Sequence, residues 1–520
     1  MTQSQLCPSL DTSKMQPNPS FFLRLWLLVV ALPLAVAARP EQAAPLAQLV
    51  VVHTNDIHDH VRPREDGAGG LPYVAGFVAQ LRRQHGDVLV VDAGDVTEKG
   101  DLIGARTHGL ITYEAMRRVG YHAVAIGNHD LDRVPLERLR RHEKALGQRL
   151  LCANLLGPDD QPLFEPARLV RIGEVQVGLV GLTLAAHEGR TREGLLDLRA
   201  SGRRLAHEAR ALRAAGADVV VAVCHEGTKA CAELSQLAPE VALFVSAHTH
   251  EIVRAPIVVP GTGALVVQAG SYARWAGLLK LEVDRRTGRI VRYGGSLVEM
   301  TGEAFAPDPA IQGLVAAAEG TAAPDASVFV IENERSLTAS EIGLLGAEAL
   351  RTQTGAEIGF CLPSQVVRDV LPAGRLDYNS FYRAVGLIGA NLVAAELSGA
   401  EIAAYFTGWQ RNGKERPEWA GFRAQRTGRG GLLQPELEPT RRYRVVMPKR
   451  EWGLVMRQLK SAGADRTAPA LKERAQRLDA SLAGALRDYL SARREQGQSL
   501  REVLAELEAA RSPTAALTNH

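Results

Sequence analysis

Seven of the fourteen histidines in this 520-residue chain, His53, His58, His60, His129, His225, His248 and His250, fall in four of five short polar segments that together make up under a tenth of it. Each segment follows an apolar, β-branched run: HTNDIHDH at His53–His60, DAGD ending at Asp95, GNHDLD at Gly127–Asp132, CHEG around His225 and AHTHE around His248 and His250. Imidazoles and carboxylates, gathered from separate segments, are the donor set of a binuclear site for zinc, manganese or similar ions. A carboxylate can span two cations about 3.5–4 Å apart, and such a pair can activate water and clamp phosphoryl oxygens. Taken singly, His53, His60, Asp59 and Asp92 read as ordinary hydrogen-bonded residues; the joint pattern points to metal.

Elements with a shared edge are needed to bring these segments together. Runs at Leu49–Val52, Val88–Val91, Ala123–Ile126, Val175–Leu182, Val219–Val223, Val241–Val245 and Leu265–Val267 read as strands, and stretches such as Tyr73–Gln84 and Leu205–Ala215 carry helical spacing. The alternation is that of an α/β fold, whose sites form beyond the carboxyl ends of the strands. Gly94 and Gly127 would let the chain turn sharply before Asp95 and Asn128.

Composition narrows the class. With 46% hydrophobic and 23% charged residues the chain can bury substantial cores, and its length favours two or more domains. The 61 basic and 58 acidic residues nearly cancel, which gives no general attraction to nucleic acid. Five cysteines without a CxxC spacing speak against a thiolate zinc cluster or a disulfide scaffold. The apolar run Leu25–Ala38, ending in Ala35-Val36-Ala37, reads as a signal peptide over residues 1–37, with a periplasmic or secreted product and no stable membrane insertion after cleavage. A proline-punctuated stretch at 304–326 reads as a linker between a first block, 46–303, and a second, 327–492, with a charged helical tail at 493–520.

The order D-x-H, G-D, G-N-H-D, lone H, H-x-H resembles the calcineurin-like metallophosphoesterases. The wording TND-x-H, GNHD-x-D and HTHE, with a second carboxyl-terminal block, resembles the secreted 5′-nucleotidase and UDP-sugar hydrolase family. That resemblance implies a four-layer αββα sandwich and an α+β carboxyl-terminal domain that selects the substrate. It assigns Asp56, His58, Asp95 and His250 to one metal and Asp95, Asn128, His225 and His248 to the other, with Asp95 as bridge. It gives His129 the task of stabilising the transition state or protonating the leaving oxygen, oriented by Asp132.

The implied chemistry is attack of metal-activated hydroxide on phosphorus in a nucleoside 5′-monophosphate. UDP-sugars, 2′,3′-cyclic nucleotides and the thiosulfate chemistry of the related thiosulfohydrolases are the alternatives, and a binding protein without turnover is the alternative of another class. In the second block FCLPSQVVRD keeps an arginine, Arg368, but lacks the family's glycine-rich run, and no G-G-D-G follows RRYRVVMPKREWGL. Arg368, Phe422 and Trp452 are the expected substrate contacts, the last two as rings stacking on a base.

Overall fold

The computed structural model describes residues 46–147, 150–386, 392–411, 416–426, 432–461 and 473–512. The expected signal peptide lies outside them, as does the end of the expected helical tail. From Leu46 onward the described residues form one compact unit.

Two six-stranded sheets make the first part. One runs β12-β11-β1-β2-β3-β4 and contains β1 (Leu46–Thr54), β2 (Leu89–Asp92), β3 (Ala123–Ala125), β4 (Leu150–Leu151), β11 (Trp275–Asp284) and β12 (Arg289–Glu299). The other runs β5-β6-β7-β8-β10-β9, from β5 (Ala167–Ile172), β6 (Val175–Leu182), β7 (Val219–Cys224), β8 (Leu243–Val245), β9 (Ile257–Val258) and β10 (Leu265–Val267). β1 to β4 are mutually parallel, as are β6, β7, β8 and β10. The hairpin β11–β12 falls outside the expected strand runs.

The two-residue period of a strand explains the layering. Leu49, Val51, Leu89 and Val91 of the first sheet pack between the sheets against Val177, Val221, Val223 and Val245 of the second. The intervening Val52 and Val90 face helices Leu71–His85 and Leu110–Val119, while Val220, Ala222 and Phe244 face helices Leu198–Ala214 and Thr228–Leu237. With both faces covered, central strands must be apolar throughout. The result is a four-layer αββα sandwich.

In the carboxyl-terminal part a five-stranded mixed sheet, ordered Glu418–Ala420, Ile358–Cys361, Arg442–Pro448, Leu392–Ser398 and Ala475–Leu478, packs with helices. The 304–326 stretch carries a helix, Pro309–Ala322, started by the Asp308 carboxylate accepting from Ala310 and Ile311 amides. That helix packs on Leu71–His85 and Leu110–Val119, so the stretch is part of the shared core rather than a free connector.

The two parts are joined by buried charge. Asp101, with no solvent exposure, accepts hydrogen bonds from the Val61 and Arg62 amides, each at 2.8 Å, from Asn379 Nδ2 at 2.7 Å and from Arg383 Nε at 2.6 Å. Arg383 also donates to the carbonyls of Arg62 and Pro63, and Asn379 Oδ1 accepts from the Leu102 amide. Arg64 grips Asp369 with two nitrogens at 2.6 and 2.9 Å.

Candidate metal centre and phosphoester site

The turns that leave β1, β2, β3, β7 and β8 converge at one edge of the sandwich. They are tight: among described non-glycine residues with positive φ, Asp56, His58, Asp59, Asp95, Glu98, Lys99, His248 and His250 all belong to them. Asp, Asn and His tolerate this conformation better than most residues, and its concentration here marks a site where backbone strain positions side chains. Gly127 is required for another reason, since a Cβ there would lie 2.1 Å from Asp95 N.

Two candidate triads result, Asp56–His58–His250 and Asp95–His225–His248, each with its ligand atoms within 4.8 Å of one another. Asp95 lies between them: its Oδ2 is 3.2 Å from His225 Nε2 and 3.7 Å from His58 Nε2. Asn128 Oδ1 is 3.2 Å from His225 Nε2, and His250 Nε2 is 3.4 Å from Asp56 Oδ1. All the expected metal residues are thus gathered at one edge.

The donors suit cations. His58 Nδ1 pairs with the Thr97 carbonyl at 3.2 Å and His225 Nδ1 with the Ala93 carbonyl at 2.9 Å. Occupying Nδ1 in this way fixes each ring and turns Nε2 inward as the ligating atom. Burial holds His58 well below the usual imidazole range and His248 down at about 4, so both are neutral donors. His225 behaves oppositely, because burial is outweighed by the facing Asp95 carboxylate, which raises it while being lowered in return. Asn55 completes the bracing by donating to Asp56 Oδ2 at 2.8 Å and to the Gly270 carbonyl.

His129 sits beside this centre. Its amide donates to Asp95 Oδ1 at 2.7 Å, and its ring meets His58 edge-on with centroids 5.0 Å apart. The partner of its Nδ1 is Glu98, not Asp132. Asp132 instead reaches Arg190 at 3.3 Å and Arg192 at 4.0 Å, so the expected His129–Asp132 pairing is corrected. Positions 129 and 132 do share the short helix Asn128–Arg133, but two arginines from a distant loop capture the exposed carboxylate.

Sequence reasoning missed Glu98, Lys99 and Asp130. Asp130 accepts from Thr97 N, Thr97 Oγ1 and Gly127 N and so ties the β2 turn to the β3 turn. Lys99 brings Nζ to 3.4 Å from His58 Nε2. The available signals were the polar run Thr97–Lys99, which begins two residues after Asp95, and the first aspartate of GNHDLD.

Of the residues set aside as ordinary, His60, Asp59 and Asp92 are hydrogen-bonded, whereas the buried His53 Nδ1 has no hydrogen-bond partner among the described residues. His53 is buried against Gly277, where a Cβ would meet its ring, and burial lowers it to about 4. His60 stacks on Tyr272 with centroids 4.2 Å apart. Asp92 accepts from Thr54 Oγ1 and Gly94 N, and Asp59 from Thr112 Oγ1 and Glu98 N.

The expected stacking rings are a second correction. Phe422 is 7% exposed, parallel to Trp419 at 5.7 Å and in edge contact with Phe406. Trp452, 9% exposed, belongs to the same cluster with Val455 and Leu459, one apolar face of helix Lys449–Ser461. Their faces are taken by core packing, which leaves none for a base. Arg368, half-buried, is held through its amide to the Ala384 carbonyl, and its charge acts on Glu98 and Tyr272 near the centre.

Residues 49–251 match the calcineurin-like phosphoesterase family, and the chain carries a domain of that class. The curated relatives include 5′-nucleotidases, that of Rattus norvegicus being 26% identical over 48% of this chain and 49% of its own length, and also the endonuclease YhcR of Bacillus subtilis, 22% identical over 70% of this chain and 32% of its own. The protein UshA of Escherichia coli is 25% identical over 69% of this chain and 76% of its own. Among solved structures, a 5′-nucleotidase precursor from Thermus thermophilus superposes with a TM-score of 0.62 at 24% identity, covering 86% of this chain and 96% of the other. The chain spans about half the length of the first curated 5′-nucleotidases it matches.

Proposed function

We propose that this chain is a two-metal phosphoesterase of 5′-nucleotidase type, acting on nucleoside 5′-monophosphates. The observation that carries the reading is the pair of triads with Asp95 between them and His129 alongside. Asp56, His58, Asp95 and His250 would hold one divalent cation, and Asp95, Asn128, His225 and His248 the other. When bound, the cations supply Lewis acidity at the phosphoryl oxygens and an activated water.

The chain's own residues supply the rest. His129, with Nδ1 held by Glu98, turns Nε2 toward substrate, where it donates a proton to the leaving oxygen or a hydrogen bond to the transition state. Lys99 and Arg368 add positive charge around the phosphoryl group.

Among the described residues no helix is long and apolar enough to cross a membrane. The apolar run Leu25–Ala38 and its small-residue end support export to the periplasm or the exterior. The functional reading is tested by stripping the purified protein of metal, reloading it with manganese or zinc, and assaying AMP, UDP-glucose, 2′,3′-cyclic AMP and a chromogenic phosphodiester. Metal-dependent release of phosphate from AMP is expected, and a diester-only profile would sink the nucleotidase assignment.

A further inference from the structure

A cleft of about 590 Å³ opens between the two parts of the molecule, next to the metal centre. On the first part it is lined by Thr97 and Glu98, which brace His58 and His129, and by Arg138. On the second part its wall carries Lys449, Arg450 and Arg457. Many arginines of this protein are neutralised, Arg62, Arg64 and Arg383 at the domain junction among them. By contrast, Arg138, Lys449, Arg450 and Arg457 make no ion pair or side-chain hydrogen bond with a described residue. The acids of the lining are each engaged: Glu98 by His129, Asp132 by Arg190 and Arg192, and the buried Asp59 by Thr112 and the Glu98 amide.

The helix behind that wall has a second peculiarity. Lys449, Gly453 and Arg457 form one i, i+4 row along helix Lys449–Ser461, and glycine is the poorest helix residue after proline. Nothing lies within 4 Å of a Cβ built at Gly453, so no neighbour demands the glycine. What it leaves is room on the helix surface between the cations Lys449 and Arg457. Arg368 links this wall to the centre, its charge acting on both Arg450 and Glu98.

We propose that the cleft holds a second phosphate of the substrate, carried on the leaving group and separated from the scissile phosphate by the sugar. It takes the place of the ring sandwich that Phe422 and Trp452 do not provide. The inference rests on the phosphoesterase reading. In the reaction, a water oxygen bonds to the 5′ phosphorus, the P–O5′ bond breaks and O5′ gains a proton. Orthophosphate leaves, and a nucleoside monophosphate remains in the cleft through its 3′ phosphate.

The test compares adenosine 3′,5′-bisphosphate, AMP and ADP on the full chain loaded with manganese. A kcat/KM about tenfold or more above that of AMP is expected for the bisphosphate, from charge-assisted bonds to at least two guanidinium groups. The ratio should fall toward one in the double variant Arg450→Gln, Arg457→Gln and in Gly453→Leu, which fills the gap. A ratio near one in the unaltered protein, or one that survives both variants, overturns the proposal. A preference for ADP alone also overturns it, by placing the second phosphate at the metals. A calorimetric arm on metal-free protein is independent of turnover: adenosine 3′-monophosphate should bind about tenfold more tightly than adenosine, and equal binding overturns the cleft assignment. If no phosphoester is hydrolysed, the phosphoesterase reading fails, and the calorimetry alone decides the cleft.

Discussion

Asp95 and His129 differ in what they touch, and the difference can be measured. Asp95 Oδ2 faces His58 and His225, one from each triad, whereas His129 reaches the centre through its amide on Asp95 and its ring on His58. Asp95→Ala should therefore lose both metals by elemental analysis. His129→Ala should keep them and lose about 10²–10⁴-fold in kcat. Equal metal loss in both variants would make His129 a ligand or scaffold residue. Glu98, as a positioning residue, should matter more than Asp132: Glu98→Gln is expected to lower kcat about 10–100-fold, with Asp132→Asn close to unaltered. The reverse order would restore the pairing that the resemblance implies. Residues three apart on a helix share a side, which agrees with that pairing but does not establish it. The sequence does not show that Arg190 and Arg192 arrive from a loop nearly 60 residues on and draw Asp132 away.

At the scale of elements, the site was legible wherever a motif sits directly after a strand. The turns are short, so the chain position of Asp56, Asp95, Asn128, His225 and His248 already fixes their place on the sheet edge. Legibility stopped where packing between distant elements decides. The resemblance places Phe422 and Trp452 as stacking rings, yet Trp419, Phe406 and Phe360 enclose Phe422, and helical spacing with Val455 and Leu459 turns Trp452 inward. The hairpin β11–β12 escaped for a related reason: β12 is mostly exposed and lacks a clean apolar alternation. The turns themselves are testable through Gly127. Gly127→Ala would push a methyl against Asp95 N, so metal content should fall and the protein should lose about 1–3 kcal/mol of stability in thermal melts. Full metal content with an unaltered melting temperature would show that the β3 turn does not set the position of Asp95.

For the whole molecule, the buried junction around Asp101 ties the two parts together through hydrogen bonds and an ion pair. Burial alone would raise this carboxyl, but Arg383 and Arg62 outweigh it and hold it below its ordinary 3.8. A carboxyl lowered on folding contributes stability above its unfolded value and loses it as pH falls through the folded value. Asp101→Asn should therefore cost about 3–5 kcal/mol near neutral pH, with the gap to the unaltered protein closing as the pH drops below about 4. A gap that stays constant down to pH 3 would show that the carboxylate charge is not what joins the parts. The junction spans the 304–326 stretch: Arg62, before it, contacts Glu319 within it and Asp377 beyond it.

The central claim is that two cations at one sheet edge act together on a phosphoester, and it is tested most directly by titrating metal back into stripped protein while recording AMP hydrolysis and bound metal on the same samples. The account predicts no turnover without metal and a rate that reaches its plateau only when two ions are bound per chain. A plateau at one ion per chain, or hydrolysis that persists in the stripped protein, would contradict it.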